Sequence, residues 1–273
     1  MNKSTKSLIY INFSPYTNAG RILDWLISEF PLLVVFSFDF HRLSNKHRSN
    51  YIDIYRNHQK VKSVELYRLP TPEALLFITL PIITLLIAVQ TFWHIVFLRR
   101  TYGKFDYYLT VNAFTAWLGN IFRAFRMVDK TIFWVWDYFP PGYPDWPIRL
   151  ARSVYWQFDR QASNKSSSTI YLNQRLFKLR QKIGVLERAI NYPVVPIGTN
   201  PAKIKQNKNI IIGHFGVLKK SQGLDLLFGS LPTLLKKFPN LKVEIVGSGP
   251  DESYFKEKVK SFNNVHITCF RYS

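Results

Sequence analysis

A glycine-bounded turn in the C-terminal third of the chain contains residues that could bind phosphate. It runs from Gly216 to Gly223, between a predicted strand and a predicted helix, and includes Lys219, Lys220 and Gln222. Glycine lets a ligand approach the backbone closely, and a helix N-terminus offers free N–H groups to an anion. The two lysines add positive charge, so the turn is a candidate diphosphate site. An ordinary strand–helix turn on a basic surface would contain the same residues.

Two further turns have the same arrangement of strand, glycine and helix. One contains Gly247 and Gly249, and the other is Asn18-Ala19-Gly20 near the N-terminus. The third glycine of the dinucleotide fingerprint is absent after Gly249, which argues against an NAD site. We expect Gly247 and Gly249 to lie at a nucleotide and Gly20 to face them, although Gly20 is also what a simple tight turn requires.

Asp137 is the acidic residue best placed to take part in catalysis. It follows a predicted strand and opens the stretch 137–147, in which four prolines exclude a regular helix or central strand. Loops at the carboxyl edge of a parallel sheet are where ligands bind in α/β folds. A capping or turn aspartate is the alternative. The six histidines show no ligand spacing, and a single cysteine, Cys269, excludes a disulfide within the chain and a cysteine-based zinc site. We therefore predict no metal.

Short apolar runs alternate with helical stretches, which predicts an α/β fold with a parallel sheet and right-handed crossovers. The polar, basic stretch 201–208 divides a first domain, residues 1–200, from a second, residues 201–273. The second contains only three predicted strands, at 209–215, 241–246 and 265–270. A parallel sheet of three strands leaves an uncovered edge, so we expect this domain to be incomplete.

The charge of the chain predicts anionic partners. Lys and Arg number 37 against 17 Asp and Glu, a formal net charge of +20 that is spread over both predicted domains. Such a surface attracts phosphates, acidic lipid headgroups or nucleic acid, or is simply a solvated basic face. No nucleic-acid recognition motif accompanies the charge, so we do not expect nucleic acid to be the partner.

The segment 74–98 is the one candidate for contact with a membrane. It contains no charged residue and is followed by Arg99 and Arg100. Its length would allow a membrane span. Pro81, Gln90 and His94 interrupt it, however, and a span would separate flanking strands that are predicted to share a sheet. A pair of buried or interfacial helices is therefore favoured over a span.

The stretch from Asn209 to Phe270 resembles the nucleotide-binding domain of retaining family 4 glycosyltransferases, which have the GT-B fold. The similar elements are the strand ending at Gly216, Gln222-Gly223-Leu-Asp-Leu-Leu, Pro239-Asn-Leu-Lys-Val-Glu-Ile-Val-Gly247-Ser-Gly-Pro250 and Asn264-Val-His-Ile. Pro196-Ile-Gly198-Thr-Asn200 is similar to the interdomain turn of the family. In the first domain, Ala19-Gly20 resembles the glycine turn that faces the donor, and Trp136-Asp137 lies near the position where the family often has His before Asp.

The sequence also departs from the family pattern. Val217 and Gln222 stand where the family commonly has the Arg and Lys that hold the donor diphosphate, so Lys219 and Lys220 would supply the charge instead. The Glu-x7-Glu element of the family would lie beyond Ser273. The resemblance therefore implies two Rossmann-like domains of the GT-B type with the second incomplete.

By this resemblance the chain is a glycosyltransferase. The donor would be a nucleotide-diphosphate sugar, the acceptor a glycan or lipid-linked glycan, and transfer would retain the anomeric configuration. No cofactor is expected. The location would be cytoplasmic and peripheral to an anionic membrane surface. The alternative is a non-catalytic fragment, or half of a split glycosyltransferase that binds a partner chain or a membrane.

Overall fold

The computed structural model describes residues 6–13, 16–39, 50–70, 75–138, 146–182, 184–186 and 210–269. It divides the chain into two compact units, Met1–Thr199 and Asn200–Ser273. The predicted interdomain turn, the stretch 201–208 and most of the proline-rich loop lie outside the described residues.

The described part of the first unit is a seven-stranded sheet with helices on both faces. Its strands are β1 (Ser7–Phe13), β2 (Leu32–Phe38), β3 (Asn50–Arg56), β4 (Gln59–Leu66), β5 (Phe105–Thr110), β6 (Val128–Val135) and β7 (Ser168–Tyr171). Its helices are α1 (Ile22–Glu29), α2 (Leu76–Tyr102), α3 (Ala113–Ala124), α4 (Trp146–Lys165) and α5 (Gln174–Gln181). The strand order is β4-β3-β2-β1-β5-β6-β7, with β2, β1, β5, β6 and β7 parallel.

Alternate residues of the central strand β1 pack against different helices. Ile9 and Ile11 join the cluster that includes α2, whereas Leu8 and Tyr10 join the cluster that includes α1. All seven residues of β1 are buried. A strand covered on both faces is apolar almost throughout, which is why Leu8–Phe13 could be predicted from its composition.

The predicted parallel sheet has one antiparallel edge. Strand β3 pairs antiparallel with both β2 and β4. The β3–β4 turn is Asn57-His58, and both residues have positive φ, 50° and 68°. This geometry fits the type I′ turn that joins two-stranded hairpins, where Asn-Gly is the usual signal. Because His58 stands in place of glycine, the hairpin signal was absent from the sequence.

The apolar segment forms one helix, not the predicted pair. Helix α2 continues through Pro81 for 27 residues. It is long and apolar enough to cross a membrane by length and composition. One of its faces packs on the sheet, however, because Ile87, Ile95 and Leu98 are buried in the same cluster as β1 and β2.

The described part of the second unit is a three-stranded parallel sheet with two helices. The strands are β8 (Ile211–Phe215), β9 (Lys242–Val246) and β10 (Val265–Thr268), in the order β10-β9-β8. The helices are α6 (Leu224–Lys237) and α7 (Glu252–Val259), and a 3-10 turn spans Lys220–Gln222. The core of this unit contains Leu224, Phe228 and Leu231 of α6 packed with Val243 and Ile245 of β9.

Candidate functional site

In the first unit, the predicted site residues lie at the carboxyl edge of the sheet. Gly20 belongs to the turn after β1, and Asp137 follows β6. The strand order reverses between β1 and β5, since β2 lies on one side of β1 and β5 on the other. Ligands of open α/β sheets bind at such a switch point. The turn that contains Gly20 therefore stands where a ligand is expected, with Asp137 two strands away.

Gly20 has the backbone conformation that favours glycine, with φ 60°. The next residue, Arg21, has φ 61° although it is not glycine. The carboxamide oxygen of Asn18 accepts hydrogen bonds from the N–H groups of Leu23 and Asp24, at 3.0 and 3.3 Å. These are first-turn amides of α1, the groups that a phosphate would otherwise use. Asn18, which the sequence placed only in a turn, therefore caps the helix from within the chain.

Buried polar groups hold this turn against the ends of β1 and β2. The hydroxyl groups of Thr17 and Ser37 are 2.8 Å apart, and Tyr10 donates to the carbonyl of Thr17 at 3.2 Å. Asn12 donates to the Tyr10 hydroxyl. Burial raises the pKa of Tyr10 well above its usual range, so its hydroxyl stays protonated. This network fixes the backbone around Asn18 and Gly20 and needs no ligand to do so.

The side chain of Asp137 is exposed, and its backbone is held by a hydrogen bond from a buried side chain. Its carbonyl accepts a hydrogen bond from the guanidinium of Arg180 in α5, at 3.0 Å. The same guanidinium is bonded to both carboxylate oxygens of Asp159 in α4, and both side chains are buried. Burial raises the pKa of Asp159, while Arg180 acts in the opposite direction. The pair leaves the Asp137 carboxylate free to face solvent at the end of β6.

The Asp159–Arg180 pair could not be predicted from the sequence. The two residues lie on different helices, and no local motif links them. Arg180 also lies 5.8 Å from the ring centroid of Phe133 in β6 and 6.0 Å from that of Tyr171 in β7. A buried arginine of α5 that contacts two strands and helix α4 is a tertiary feature, and only the packing of α4 and α5 beside the sheet reveals it.

In the second unit, the two glycine turns pack directly against each other. A Cβ on Gly247 would stand 1.8 Å from the Gly216 carbonyl oxygen, and one on Gly249 would stand 2.5 Å from the Leu218 carbonyl oxygen. The N–H of Gly216 donates to the Val246 carbonyl at 3.1 Å. Close approach of two backbones thus requires Gly247 and Gly249, whether or not a ligand binds.

The backbone of the Gly216–Gly223 turn is largely satisfied within the unit. The N–H groups that have acceptors are those of Gly216, Leu218, Lys219, Lys220, Gln222 and Gly223. One acceptor is a carboxylate, that of Asp251, which takes the N–H of Lys220 at 2.8 Å. The lysine side chains and the N–H groups of Leu224 and Asp225 are therefore the groups that this turn would offer to an anion, since the N–H of Leu226 donates to the Gly223 carbonyl.

Lys219 and Lys220 lie near a small group of charged and aromatic side chains at the start of α6. Both are exposed. The ammonium group of Lys220 lies 3.9 Å from the ring centroid of Tyr254, a cation–π contact. Asp225, in the first turn of α6, accepts hydrogen bonds from Tyr254 and Lys258 at 2.9 and 2.6 Å. The Lys258 hydrogen bond, the largest cause, lowers the pKa of Asp225. Lys258 and Lys220 therefore both act on the Asp225 carboxylate at the start of α6.

Gln222 is exposed and ends the 3-10 turn, so its side chain is open to solvent. Among the described residues, no group of three or more His, Cys, Asp or Glu side chains could hold a metal ion.

Comparisons with known proteins find similarity at the level of the fold. No family model matches the sequence, and no curated protein matches it. A similar structure is sucrose-phosphate synthase from Thermosynechococcus elongatus, at TM-score 0.60 and 14% identity, covering 97% of this chain and 70% of that one. Another is HepE from Anabaena in complex with UDP, at TM-score 0.59 and 14% identity, with 98% and 70% coverage.

A third similar structure is the catalytic domain of starch synthase IV from Arabidopsis thaliana, bound to ADP and acarbose. It gives TM-score 0.60 at 8% identity, covering 98% of this chain and 74% of that one. These structural neighbours are GT-B glycosyltransferases. At such low identity the likeness concerns the fold. The expectation of an α/β chain with Rossmann-like units of the GT-B type is therefore confirmed.

Proposed function

We propose that the chain transfers a sugar from a nucleotide-diphosphate sugar to a glycan or lipid-linked acceptor. The observation that carries the proposal is the GT-B fold, which extends over 97–98% of the chain in the similar structures. Two of those structures were solved with a nucleoside diphosphate, UDP in one and ADP in the other. The family 4 motifs of the second unit, Gln222-Gly223 and Gly247-Ser248-Gly249, support retention of the anomeric configuration.

For this reaction the protein must stabilise the leaving group, the nucleoside diphosphate. When the bond between sugar and diphosphate breaks, negative charge grows on the diphosphate, and nearby cations and N–H donors lower the barrier. Lys219 and Lys220 supply the cations, and the N–H groups of Leu224 and Asp225 at the start of α6 supply the donors. Gln222 and the glycine turns complete the donor side. This arrangement needs no metal or other cofactor.

Asp137 is our candidate for a catalytic carboxylate. Its side chain is exposed at the end of β6, and the Arg180 hydrogen bond fixes its backbone. A negative charge at this position would stabilise the positive charge that develops on the sugar ring as the leaving group departs. Gly20 would allow the donor to approach the turn after β1. We infer a cytoplasmic location from the nucleotide-sugar donor.

Binding of nucleoside diphosphates tests the donor site. We expect UDP, ADP or GDP to bind the full chain in calorimetry. The Lys219→Ala/Lys220→Ala variant should bind at least about tenfold more weakly, because each charged contact is worth about 1.5–3 kcal/mol. Lys236→Ala/Lys237→Ala is the matched control, since it removes an equally adjacent pair at the other end of α6. Equal losses in both variants, or no binding to any diphosphate, would refute the site.

Turnover tests the reaction itself. We expect slow release of sugar from a nucleotide-diphosphate sugar, detected by mass spectrometry, with the product anomer assigned by NMR. Asp137→Asn should lower the rate at least about a hundredfold with unchanged donor affinity, as for other groups that act on the transition state. Donor binding without turnover under any acceptor condition would favour the non-catalytic alternative.

A further inference from the structure

Helix α2 has two apolar faces, and only one of them is covered. Ile87, Ile95 and Leu98 are buried in a cluster with strands of the sheet, and Thr91 is buried on the same face. At 3.6 residues per turn, the residues on the opposite side form a second stripe, and they are exposed. Their exposed fractions are Ile82 58%, Leu85 64%, Val89 45%, Trp93 65% and Phe97 59%. We name these five residues the α2 stripe.

The stripe is too apolar and too continuous to be an ordinary water-facing surface. From Ile82 to Phe97 it extends about 22 Å along the helix. No charged residue occurs between positions 75 and 98. Single exposed apolar residues are common on proteins, but a contiguous apolar patch marks a surface that contacts a partner or a membrane.

The end of the stripe is aromatic and then basic. Trp93 and Phe97 lie in its last turns, and Arg99 and Arg100 follow and are exposed. Helices α2 and α3 each precede a strand of the parallel part of the sheet, so both end at the edge where those strands begin. The end of α3 adds an exposed Phe125 and Arg126 at that same edge.

We infer that the α2 stripe docks on an anionic lipid bilayer, with α2 lying in the plane of the interface. Aromatic side chains sit at the headgroup level of membranes, and clustered arginines bind acidic headgroups. The net charge of +20 favours such a surface and disfavours a second copy of the same chain. This inference deepens the proposed function, because it names the surface that would bring the chain to a lipid-linked acceptor.

The structure also decides how deep the helix enters. A membrane span would remove Ile87, Ile95 and Leu98 from the core that they share with β1 and β2. It would also break the hydrogen bond from the Gln90 side chain to the Tyr67 carbonyl, at 3.0 Å. One face of α2 is therefore protein core and the other is the lipid contact, as in a monotopic helix.

Flotation with vesicles tests the inference, using the full chain without any nucleotide. We expect binding to vesicles of phosphatidylcholine mixed with phosphatidylglycerol. Leu85→Glu/Trp93→Glu should lower the partition coefficient at least about tenfold, because each apolar side chain would lose its burial in lipid. The matched control is Leu226→Glu/Phe215→Glu, which changes an exposed leucine and an exposed aromatic residue in the second unit and should bind as the wild type does.

A second pair of variants tests the basic end. Arg99→Gln/Arg100→Gln should bind at least about tenfold more weakly, because two positive charges that attract acidic headgroups are lost. Lys236→Gln/Lys237→Gln carries the same loss of charge elsewhere and should bind nearly as the wild type does. Brominated lipids should quench part of the tryptophan emission, and Trp93→Phe should remove that part.

Four results would overturn the inference. They are wild-type flotation of Leu85→Glu/Trp93→Glu, equal binding to vesicles of phosphatidylcholine alone, resistance to extraction by alkaline carbonate, and a dimer in light scattering that the same double variant dissociates. The third would indicate a span and the fourth a second copy as the occupant. Diphosphate binding by the double variant is measured in parallel, so that a failure of docking and a failure of the donor site are told apart.

Discussion

Gly247 is the residue at which the smallest change should have the largest structural effect. In Gly247→Ala, the new Cβ would stand 1.8 Å from the Gly216 carbonyl oxygen. Real Cβ contacts are essentially never under 3.0 Å, so the two loops must separate by at least 1.2 Å, the difference between these distances. The obstacle is backbone and not a flexible side chain, so it cannot rotate away.

The cost follows from the hydrogen bonds that hold the loops together. The N–H of Gly216 donates to the Val246 carbonyl at 3.1 Å, and the N–H of Leu218 donates to the Ser248 carbonyl at 3.0 Å. A separation of more than 1 Å breaks both, at about 1 kcal/mol each, and overpacking adds about 1–3 kcal/mol. We expect Gly247→Ala to lower the free energy of unfolding of the second unit by about 3–5 kcal/mol.

The assay can observe the two units separately. All seven tryptophans lie between positions 25 and 156, so tryptophan emission reports the first unit only. Urea unfolding followed by hydrogen exchange of peptides from β9 and α6 reports the second. We expect the variant to lose protection in those peptides at lower urea while the tryptophan transition stays in place.

Gly229→Ala is the matched control. Gly229 lies inside α6, and a Cβ there meets nothing within 4 Å. The same substitution should stabilise the unit by about 0.5–1 kcal/mol, because alanine loses less backbone entropy in a helix. If Gly247→Ala unfolds at the wild-type urea concentration and only weakens diphosphate binding, the glycine serves the ligand and our packing argument is refuted.

Three further predictions concern single side chains. Asn18→Ala should cost about 1 kcal/mol by uncapping α1, with faster exchange of its first amides; unchanged exchange would contradict the cap. Arg180→Met should cost about 3–5 kcal/mol by leaving Asp159 buried without its partner, and adding Asp159→Leu should recover much of it in tryptophan-monitored unfolding; no recovery would argue against the pair. Lys258 lowers the pKa of Asp225 in the folded chain, so their interaction stabilises the second unit above the pKa of Asp in the unfolded chain, about 4. This stabilisation is lost as the pH falls from there through the lowered pKa of the folded chain. Asp225→Asn should therefore flatten the acid loss of stability in the second unit, and a slope equal to that of the wild type would refute this assignment.

The regular elements could be predicted from the sequence because each has a local cause. The buried run Leu8–Phe13 and the apolar period of α6 follow from the faces that these elements cover. The hairpin of β3 and β4 was missed because its turn, Asn57-His58, lacks the usual glycine. The pair of helices predicted for segment 74–98 is a single helix, because α2 continues through Pro81.

The candidate site was predictable only in part. The positions of Gly20 and Asp137 at a sheet edge follow from the order of strands and helices, which the sequence indicates. The cap by Asn18 and the anchoring of Asp137 by Arg180 involve groups that meet only after folding. The glycines at 247 and 249 were assigned to a ligand, and the structure adds a requirement of its own, the contact with the backbone of Gly216 and Leu218. Their part in donor binding stays a prediction.

The sequence by itself determined the alternation of strands and helices, the glycine turns and the basic charge, because these depend on residue type and local spacing. Tertiary structure alone decided which apolar face of α2 is core, since the helix is apolar all round and hydropathy cannot choose between its faces. It also decided that a buried Asp159–Arg180 pair supports the loop after β6. Both features are contacts between residues that are distant in the chain, and no local sequence pattern indicates which distant residues will pack together.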